Sequence, residues 1–155
     1  MFDKTTIRDI DPKNKNILVR TDFNVPIKDG QVTSDFRLRA ALPTIQYLID
    51  RQANHIILIS HLGRPKGQAD SALSLAPVAQ ELSLLLNRPV TFIPHLTGSL
   101  IKDQIDSLPQ GSVVLLENLR FSAAEEESSL DFAREIVHSP SASWVQAILL
   151  PQPPE

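Results

Sequence analysis

The sequence contains 155 residues, of which 42% are hydrophobic and 21% are charged, and its formal net charge is −3. These proportions are typical of one ordinary globular domain. The absence of cysteine excludes a disulfide framework and thiolate metal sites, and it fits a reducing compartment. There is no block of like charges, no apolar run long enough to cross a bilayer and no signal-peptide pattern at the start. We therefore expect a soluble cytoplasmic protein that binds neither nucleic acid nor membranes.

The first half of the sequence predicts a buried strand, a hairpin and a helix, in that order. Residues 17–21 form an apolar run typical of a buried strand, and Asp29-Gly30 between two short apolar segments favours a type I′ hairpin. A helix should follow, because apolar residues then recur at intervals of three and four residues. Pro43 interrupts this pattern, so we expect either a kink or a helix that begins near Ala40. The apolar face of this helix consists of Leu38, Leu42, Ile45, Leu48 and Ile49.

Strands and helices alternate through the second half of the sequence. Ser74 is a candidate N-cap for one helix, and Ser122 with Glu125 matches a capping box for the last one. The alternation predicts βαβ units and therefore an α/β fold with a mainly parallel sheet. The predicted strands are 56–60, 90–93 and 113–116, and the predicted helices are 75–86, 100–108 and 122–138.

The final segment differs from the rest of the sequence. Residues 139–155 combine a short apolar run with three prolines among the last five residues. Such an ending cannot continue a helix or a central strand. We therefore expect an α/β domain over residues 1–138 and a divergent proline-rich tail over residues 139–155.

Polar segments follow three of the predicted strands at their carboxyl ends. Because ligands of open α/β sheets bind outside the carboxyl ends of parallel strands, these segments are expected to converge on one site. Together with Arg37 they are rich in arginine, whose guanidinium group binds phosphate or carboxylate through two parallel hydrogen bonds. Any single arginine is more often an exposed surface residue, but several at neighbouring strand ends predict an anion site. The segments are Asp22-Phe23-Asn24, His61-Leu62-Gly63-Arg64 and Asn118-Leu119-Arg120.

Several of these residues have a structural as well as a functional interpretation. Asp22 and Asn24 can hold a substrate hydroxyl and carboxylate, or they can close the turn with side-chain to backbone hydrogen bonds. Gly63 can allow the backbone to approach a ligand closely, or it can satisfy a positive φ angle. His61 can donate to an anion or cap the edge of the sheet. The sequence alone leaves these alternatives open.

Other polar residues are interpreted as structural. Arg20 and Arg39 can pair with Asp22 or Asp35 and need not touch a ligand. The remaining histidines lack metal-ligand spacing, so no metal site is predicted. The sequence contains neither G-x-x-x-x-G-K-[ST] nor G-x-G-x-x-G, and therefore neither familiar phosphate-binding glycine motif.

Five motifs in the sequence resemble the amino-terminal domain of the phosphoglycerate kinase family. The match runs in register from about residue 5 to residue 137. Five motifs in family order are far more specific than any single pattern. The motifs are RTDFNVP (20–26), DFRLRAALPTI (35–45), SHLGRPKG (60–67), LSLAPVA (73–79) and LLENLRF (115–121).

The resemblance implies a fold and an activity. The expected fold is a Rossmann-like three-layer domain, one half of a two-domain enzyme whose full-length members are usually monomeric. The glycolytic reaction of the family transfers a phosphoryl group between 1,3-bisphosphoglycerate and ADP, giving 3-phosphoglycerate and MgATP. This makes the family a phosphotransferase with a carboxyl-group acceptor, with MgATP or MgADP as its cofactor.

The resemblance also implies which residues act. The amino-terminal domain of the family binds 3-phosphoglycerate or 1,3-bisphosphoglycerate, and Arg37 is the implied catalytic residue, because it would stabilise the phosphoryl group in flight. The implied substrate-binding residues are Asp22, Phe23, Asn24, Arg37, His61, Leu62, Gly63, Arg64 and Arg120.

The resemblance is lost near the end of the sequence. A family member would continue into another strand and an Asn/Asp-Ala-Phe-Gly segment, followed by Ala-His-Arg, whose arginine completes the anion site. Residues 144–146 match only the opening of that strand. We therefore expect the rest of the strand and the nucleotide-binding domain to be absent, with no nucleotide bound strongly and little activity for the chain alone.

Two alternatives follow from this departure. The alternatives to the substrate half-site of a kinase are a non-catalytic module that binds phosphoglycerate or another small anion, and a truncation product without function. Residues 144–150 either cover the surface that the missing strand would leave open or extend away from it. Of these two arrangements, we expect partial covering.

Overall fold

The computed structural model describes residues 6–96, 99–122 and 144–149. Within these ranges the chain forms a five-stranded parallel sheet, a two-stranded hairpin and three α-helices. The strands of the large sheet are β1 (Asn16–Arg20), β4 (His55–Ile59), β5 (Val90–Ile93), β6 (Ser112–Leu116) and β7 (Trp144–Leu149), and the hairpin consists of β2 (Ile27–Lys28) and β3 (Gln31–Val32). The helices are α1 (Phe36–Asp50), α2 (Ala76–Leu86) and α3 (Ser99–Asp106). No helix in the described ranges is long and apolar enough to span a membrane.

The strands of the large sheet are ordered β5-β6-β4-β1-β7, and every neighbouring pair is parallel. Helices connect β1 to β4 and β5 to β6, as βαβ units require. The predicted α/β fold with a mainly parallel sheet is therefore confirmed.

Two apolar clusters lie on the two faces of this sheet. In the central strand β4, Ile56 and Leu58 belong to the cluster that contains the buried residues of α1 and α2. Ile57 and Ile59 belong to the other cluster, which contains Ile101 of α3. Parallel strands covered by helices are buried on both faces, and all residues of β4 are buried. The sheet is thus the middle layer of three.

The hairpin turns at Asp29-Gly30, as predicted. Both residues have positive φ angles, 52° and 74°, which a two-residue type I′ turn requires. Glycine reaches this conformation without steric cost, which explains its place at the second position of the turn.

Helix α1 begins at Phe36 and runs through Pro43 to Asp50. Of the two alternatives, the start near Ala40 is therefore wrong, and the helix continues through the proline. Asp35 and Arg39 stabilise the first turn, because the Asp35 carbonyl accepts from the Arg39 N–H at 2.9 Å and the Asp35 carboxylate accepts from Arg39 Nε at 2.8 Å. These contacts hold the helical turn that precedes the proline.

Strand β7 lies at the edge of the sheet beside β1. Ile17 is opposite Gln146 and Arg20 is opposite Leu149, with a register shift next to Asn16. The expectation that this strand would be missing is wrong. Residues 144–149 pair with β1 and cover its open side, in agreement with the expected partial covering. The prolines follow the strand, so they remove no hydrogen-bond donor from its pairing with β1.

The domain boundary at residue 138 stays a prediction. Of the predicted helix 122–138, all but the first residue lies outside the described residues.

The first described turn precedes β1 and is held by Thr6. The Thr6 N–H donates to Oδ2 of Asp9 at 2.6 Å, and the Thr6 hydroxyl donates to the same oxygen at 2.9 Å. These two hydrogen bonds, of which the one from the backbone has the larger effect, hold the pKa of the Asp9 carboxyl below its ordinary value.

Candidate functional site

Three polar loops lie at the carboxyl ends of β1, β4 and β6. We call them loop A (residues 21–26), loop B (residues 60–64) and loop C (residues 117–120). The three strands are neighbours in the sheet, so the loops lie side by side. A backbone hydrogen bond joins loops C and B, since Leu119 N–H donates to the Ser60 carbonyl at 3.0 Å. Another joins loop A to the last residue of β4, since Thr21 N–H donates to the Ile59 carbonyl at 2.9 Å. The structure thus brings together the segments that the sequence predicts to converge.

Gly63 is the residue at which all three loops meet. Its N–H donates to Oδ1 of Asn24 in loop A at 3.0 Å, and its carbonyl accepts from Nη1 of Arg120 in loop C at 2.8 Å. Its φ angle is +62°. The structural interpretation of this glycine, a positive φ angle, is therefore confirmed, and the same residue also fixes the spacing between the loops.

Loop A is held by its own side chains. Oδ1 of Asp22 accepts from the Asn24 N–H at 3.2 Å and closes the turn, as the structural interpretation predicts. The Phe23 ring is fully buried in the apolar core, and its N–H donates to Ser60 Oγ at 2.8 Å. The Phe23 side chain therefore anchors the loop from inside the core.

Arg37 lies in the first turn of α1 and reaches back to loop A. Its Nη1 donates to Oδ2 of the buried Asp22, forming an ion pair. The guanidinium group has five N–H donors, and this contact orients its plane at the end of β1. Arg39, one of the two arginines interpreted as structural, pairs with Asp35.

The other cationic side chains lie on loops B and C. Arg64 is exposed, His61 and Arg120 are half-buried, and Leu62 is buried. The carboxylates of Asp22 and Glu117 stand against the three guanidinium groups of Arg37, Arg64 and Arg120, so the site has a surplus of one positive charge. This arrangement is suited to a ligand with more than one negative charge.

Two further residues organise the site: Asn118, which the sequence placed in a polar segment without giving it a role, and Glu117, which the sequence did not single out. Asn118 forms four side-chain hydrogen bonds within and between loops. Glu117 turns its carboxylate towards the start of α2, where Oε1 accepts from the Leu75 N–H at 3.0 Å and Oε2 accepts from the Ser74 hydroxyl at 2.8 Å. The only signal in the sequence is a pair of polar residues directly after a buried strand.

Ser74 supports the start of α2, although Leu75 occupies the N-cap position. The Ser74 hydroxyl accepts a hydrogen bond from the Ala76 N–H at 3.2 Å. In the described part of the chain, no group of three His, Asp or Glu side chains could hold a metal ion.

Replacing Gly63 by alanine is expected to lower the free energy of unfolding by more than the left-handed backbone strain, which alone costs about 1–2 kcal/mol. A Cβ at this position would lie 2.7 Å from Cδ2 of Leu73, so the side chain or the loop must move. Gly30→Ala is the matched control, because its φ is also positive and its Cβ would meet nothing within 4 Å. Urea denaturation of both variants measures the difference. Equal losses of stability in the two variants would show that the contact with Leu73 adds no cost of its own.

Comparisons with known sequences agree on one family. A family model described as phosphoglycerate kinase matches residues 7–141. The phosphoglycerate kinase of Thermosipho africanus is 49% identical over 134 residues, which cover 86% of this chain and 33% of that protein. The phosphoglycerate kinase of Aquifex aeolicus is 49% identical over 137 residues, which cover 88% of this chain and 34% of that protein.

The fold is similar to the same family. The crystal structure of phosphoglycerate kinase from Pyrococcus horikoshii OT3 superposes with a TM-score of 0.76 at 32% identity, and the match covers 92% of this chain and 35% of that one. The chain spans about a third of the length of the curated relatives it matches. Since the family model covers most of the sequence and the fold agrees, the chain belongs to the phosphoglycerate kinase family.

Proposed function

We propose that this chain binds 3-phosphoglycerate or 1,3-bisphosphoglycerate at the edge formed by loops A, B and C, as the substrate-binding part of a phosphoglycerate kinase. The observation that carries this proposal is the meeting of the three loops at Gly63, which ties Arg120 and Asn24 to loop B. Ligands of open α/β sheets bind at this edge, beyond the carboxyl ends of the strands.

The chemistry of the ligand matches the side chains. Phosphoglycerate carries a carboxylate, a hydroxyl and a phosphate, and guanidinium groups bind both kinds of anion through paired hydrogen bonds. Arg37, Arg64 and Arg120 supply these groups, and the Asp22 carboxylate can accept a hydrogen bond from the hydroxyl. The surplus of positive charge favours a dianionic or trianionic ligand over a neutral one.

Arg37 is the proposed catalytic residue. Phosphoryl transfer needs in-line positioning and stabilisation of charge more than covalent chemistry from the protein. The Asp22 carboxylate already orients the Arg37 guanidinium group, so little reorganisation is required when substrate arrives. Family membership also supports a magnesium-bound nucleotide as the second substrate of a complete phosphoglycerate kinase and the cytoplasm as the location of this chain, and both are part of this proposal.

Calorimetric titration of the 155-residue chain with 3-phosphoglycerate tests the proposal. We expect saturable binding that Arg120→Ala weakens about tenfold to a hundredfold, because hydrogen bonds to charged groups contribute about 1.5–3 kcal/mol. Arg51→Ala is the matched control, since Arg51 lies at the other end of α1 and contacts Tyr47. We expect no saturable heat from MgADP.

Two results would contradict this proposal. A folded chain, verified by circular dichroism, that gives no saturable heat with 3-phosphoglycerate would exclude the proposed substrate. Equal affinity for sulfate and for 3-phosphoglycerate would instead favour a general anion-binding module.

A further inference from the structure

Asn118 is a fully buried amide in loop C, with 0% of its surface exposed. Its Oδ1 accepts from the Leu62 N–H at 3.1 Å and from the Arg120 N–H at 3.0 Å. Its Nδ2 donates to the Leu62 carbonyl at 2.7 Å and to the Leu73 carbonyl at 2.9 Å. Both donors and both acceptor positions of the side chain are therefore used, which is the complete capacity of an amide.

These hydrogen bonds continue the sheet by means of a side chain. The regular pairing of β4 with β6 ends at Leu58 and Leu115, and one further backbone hydrogen bond joins Leu119 to Ser60. Beyond that point, the Asn118 amide holds both the N–H and the carbonyl of Leu62, as a neighbouring strand would. Loop B is thus fixed at the residue that lies between His61 and Gly63.

The same amide fixes Arg120 at two points. Oδ1 holds the Arg120 backbone N–H directly. The Leu62 contacts set the adjacent Gly63 peptide, and the Gly63 carbonyl in turn accepts from the Arg120 guanidinium group. The main chain and the side chain of this arginine are therefore both positioned through Asn118.

We propose that Asn118 is a positioning residue for anion binding, which sets the spacing between the cationic groups of loops B and C and thereby determines the affinity for phosphoglycerate. This inference rests on the proposed function of the site. Asn118 itself need not touch the ligand, because its side chain is buried and its four hydrogen bonds are made within the protein.

The chemistry of the contacts requires an amide. An aspartate has the same shape, but in its ionised form it donates no hydrogen bond. The carbonyls of Leu62 and Leu73 would then face a carboxylate, and a buried polar group without a partner is costly. Loop B would have to move away from loop C to restore hydrogen bonding.

The test is a 3-phosphoglycerate titration of Asn118→Asp beside Asn16→Asp. Asn16 is equally buried, with 1% exposure, and its Oδ1 accepts from Nδ2 of Asn54 at 2.9 Å. Asn16 is the first residue of β1, so it lies at the amino end of the strand, whereas the loops lie at the carboxyl ends. We expect Asn118→Asp to weaken binding about tenfold to a hundredfold and Asn16→Asp to change it by less than about threefold, although both substitutions lower stability.

A pH series separates positioning from general destabilisation. Burial raises the pKa of a carboxyl group, and the protonated form of the introduced carboxyl regains one hydrogen-bond donor. The affinity of Asn118→Asp relative to wild type should therefore recover as the pH falls. Asn16→Asp should show no such recovery. If Asn118→Asp does not fold, Asn118→Ser replaces it, since its hydroxyl retains one donor.

Wild-type affinity in a folded Asn118 variant would overturn the inference. Absence of binding by the wild-type chain would overturn the proposed function, and amide hydrogen exchange then decides the positioning role separately. Faster exchange at Leu62, Gly63 and Arg120 in Asn118→Asp, but not in Asn16→Asp, supports that role. Unchanged exchange at these amides overturns it.

Discussion

Replacement of Arg37 by alanine is expected to weaken phosphoglycerate binding about tenfold to a hundredfold and to destabilise the fold at the same time. The substitution removes one guanidinium group from the site and leaves the Asp22 carboxylate, whose side chain is only 6% exposed, without its cationic partner. Breaking a buried ion pair costs about 3–5 kcal/mol, because the remaining charge is uncompensated. The Arg37 side chain is 25% exposed, so we expect a loss nearer to about 2 kcal/mol.

A second substitution separates the two effects. The double variant Arg37→Ala/Asp22→Asn no longer buries an unpaired carboxylate, so it should recover stability without recovering affinity. Arg39→Ala is the matched control, because Arg39 lies on the same helix and pairs with Asp35. It should change the free energy of unfolding by less than about 0.5 kcal/mol and leave binding unchanged.

Urea denaturation and calorimetry measure these quantities. If Arg39→Ala weakened binding as strongly as Arg37→Ala, the specific role of Arg37 would be excluded. If the double variant were less stable than Arg37→Ala, the unpaired Asp22 carboxylate could not be the source of the lost stability.

Leu58→Ala is expected to lower the free energy of unfolding by about 2–5 kcal/mol. Leu58 lies in the central strand β4, is completely buried, and belongs to the cluster that joins the sheet to α1 and α2. Because domains of this size are stable by only about 5–15 kcal/mol, such a loss is a large part of the total. The urea midpoint, followed by circular dichroism, measures it.

Leu84→Ala provides the matched control for this prediction. Leu84 is the same residue type on α2 but is 75% exposed, so its truncation should change stability by less than about 0.5 kcal/mol. Similar losses of stability in the two variants would contradict the interpretation that burial of β4 on both faces is the main source of stability.

Much of the fold follows from local patterns in the sequence. The apolar runs of β1 and β4 and the Asp29-Gly30 turn are set by neighbouring residues, and each was predicted within one residue. The start of α1 was left open between two alternatives, and the burial of Leu38 and Ala41 in the core, which outweighs the propensity of Pro43, decides it. Strand β7 could not be predicted either, because its pairing partner β1 lies at the other end of the sequence.

The location of the site could be predicted from the sequence, but its hydrogen bonds and ion pairs could not. The rule that loops at carboxyl ends converge was enough to bring the cationic segments together. The ion-pair partner of Asp22 could not be predicted. Arg20, Arg37 and Arg39 all lie within 17 residues of Asp22, and only the fold selects Arg37. The role of Asn118 was also hidden, since its partners on loop B and at Leu73 are distant in the chain.

The edge position of β7 has a consequence for synthesis on the ribosome. In the sheet, Asn16 pairs with His55 on one side and with Trp144 on the other. Contacts between residues distant in sequence form slowly, because a longer loop must be closed first. The β1–β4 pair can therefore form early, while the opposite side of β1 waits until residues 144–149 have emerged. During that interval the unpaired side of β1 is open to wrong strands and to chaperones, so the arrival of β7 ends the exposure of this side of the strand to aggregation.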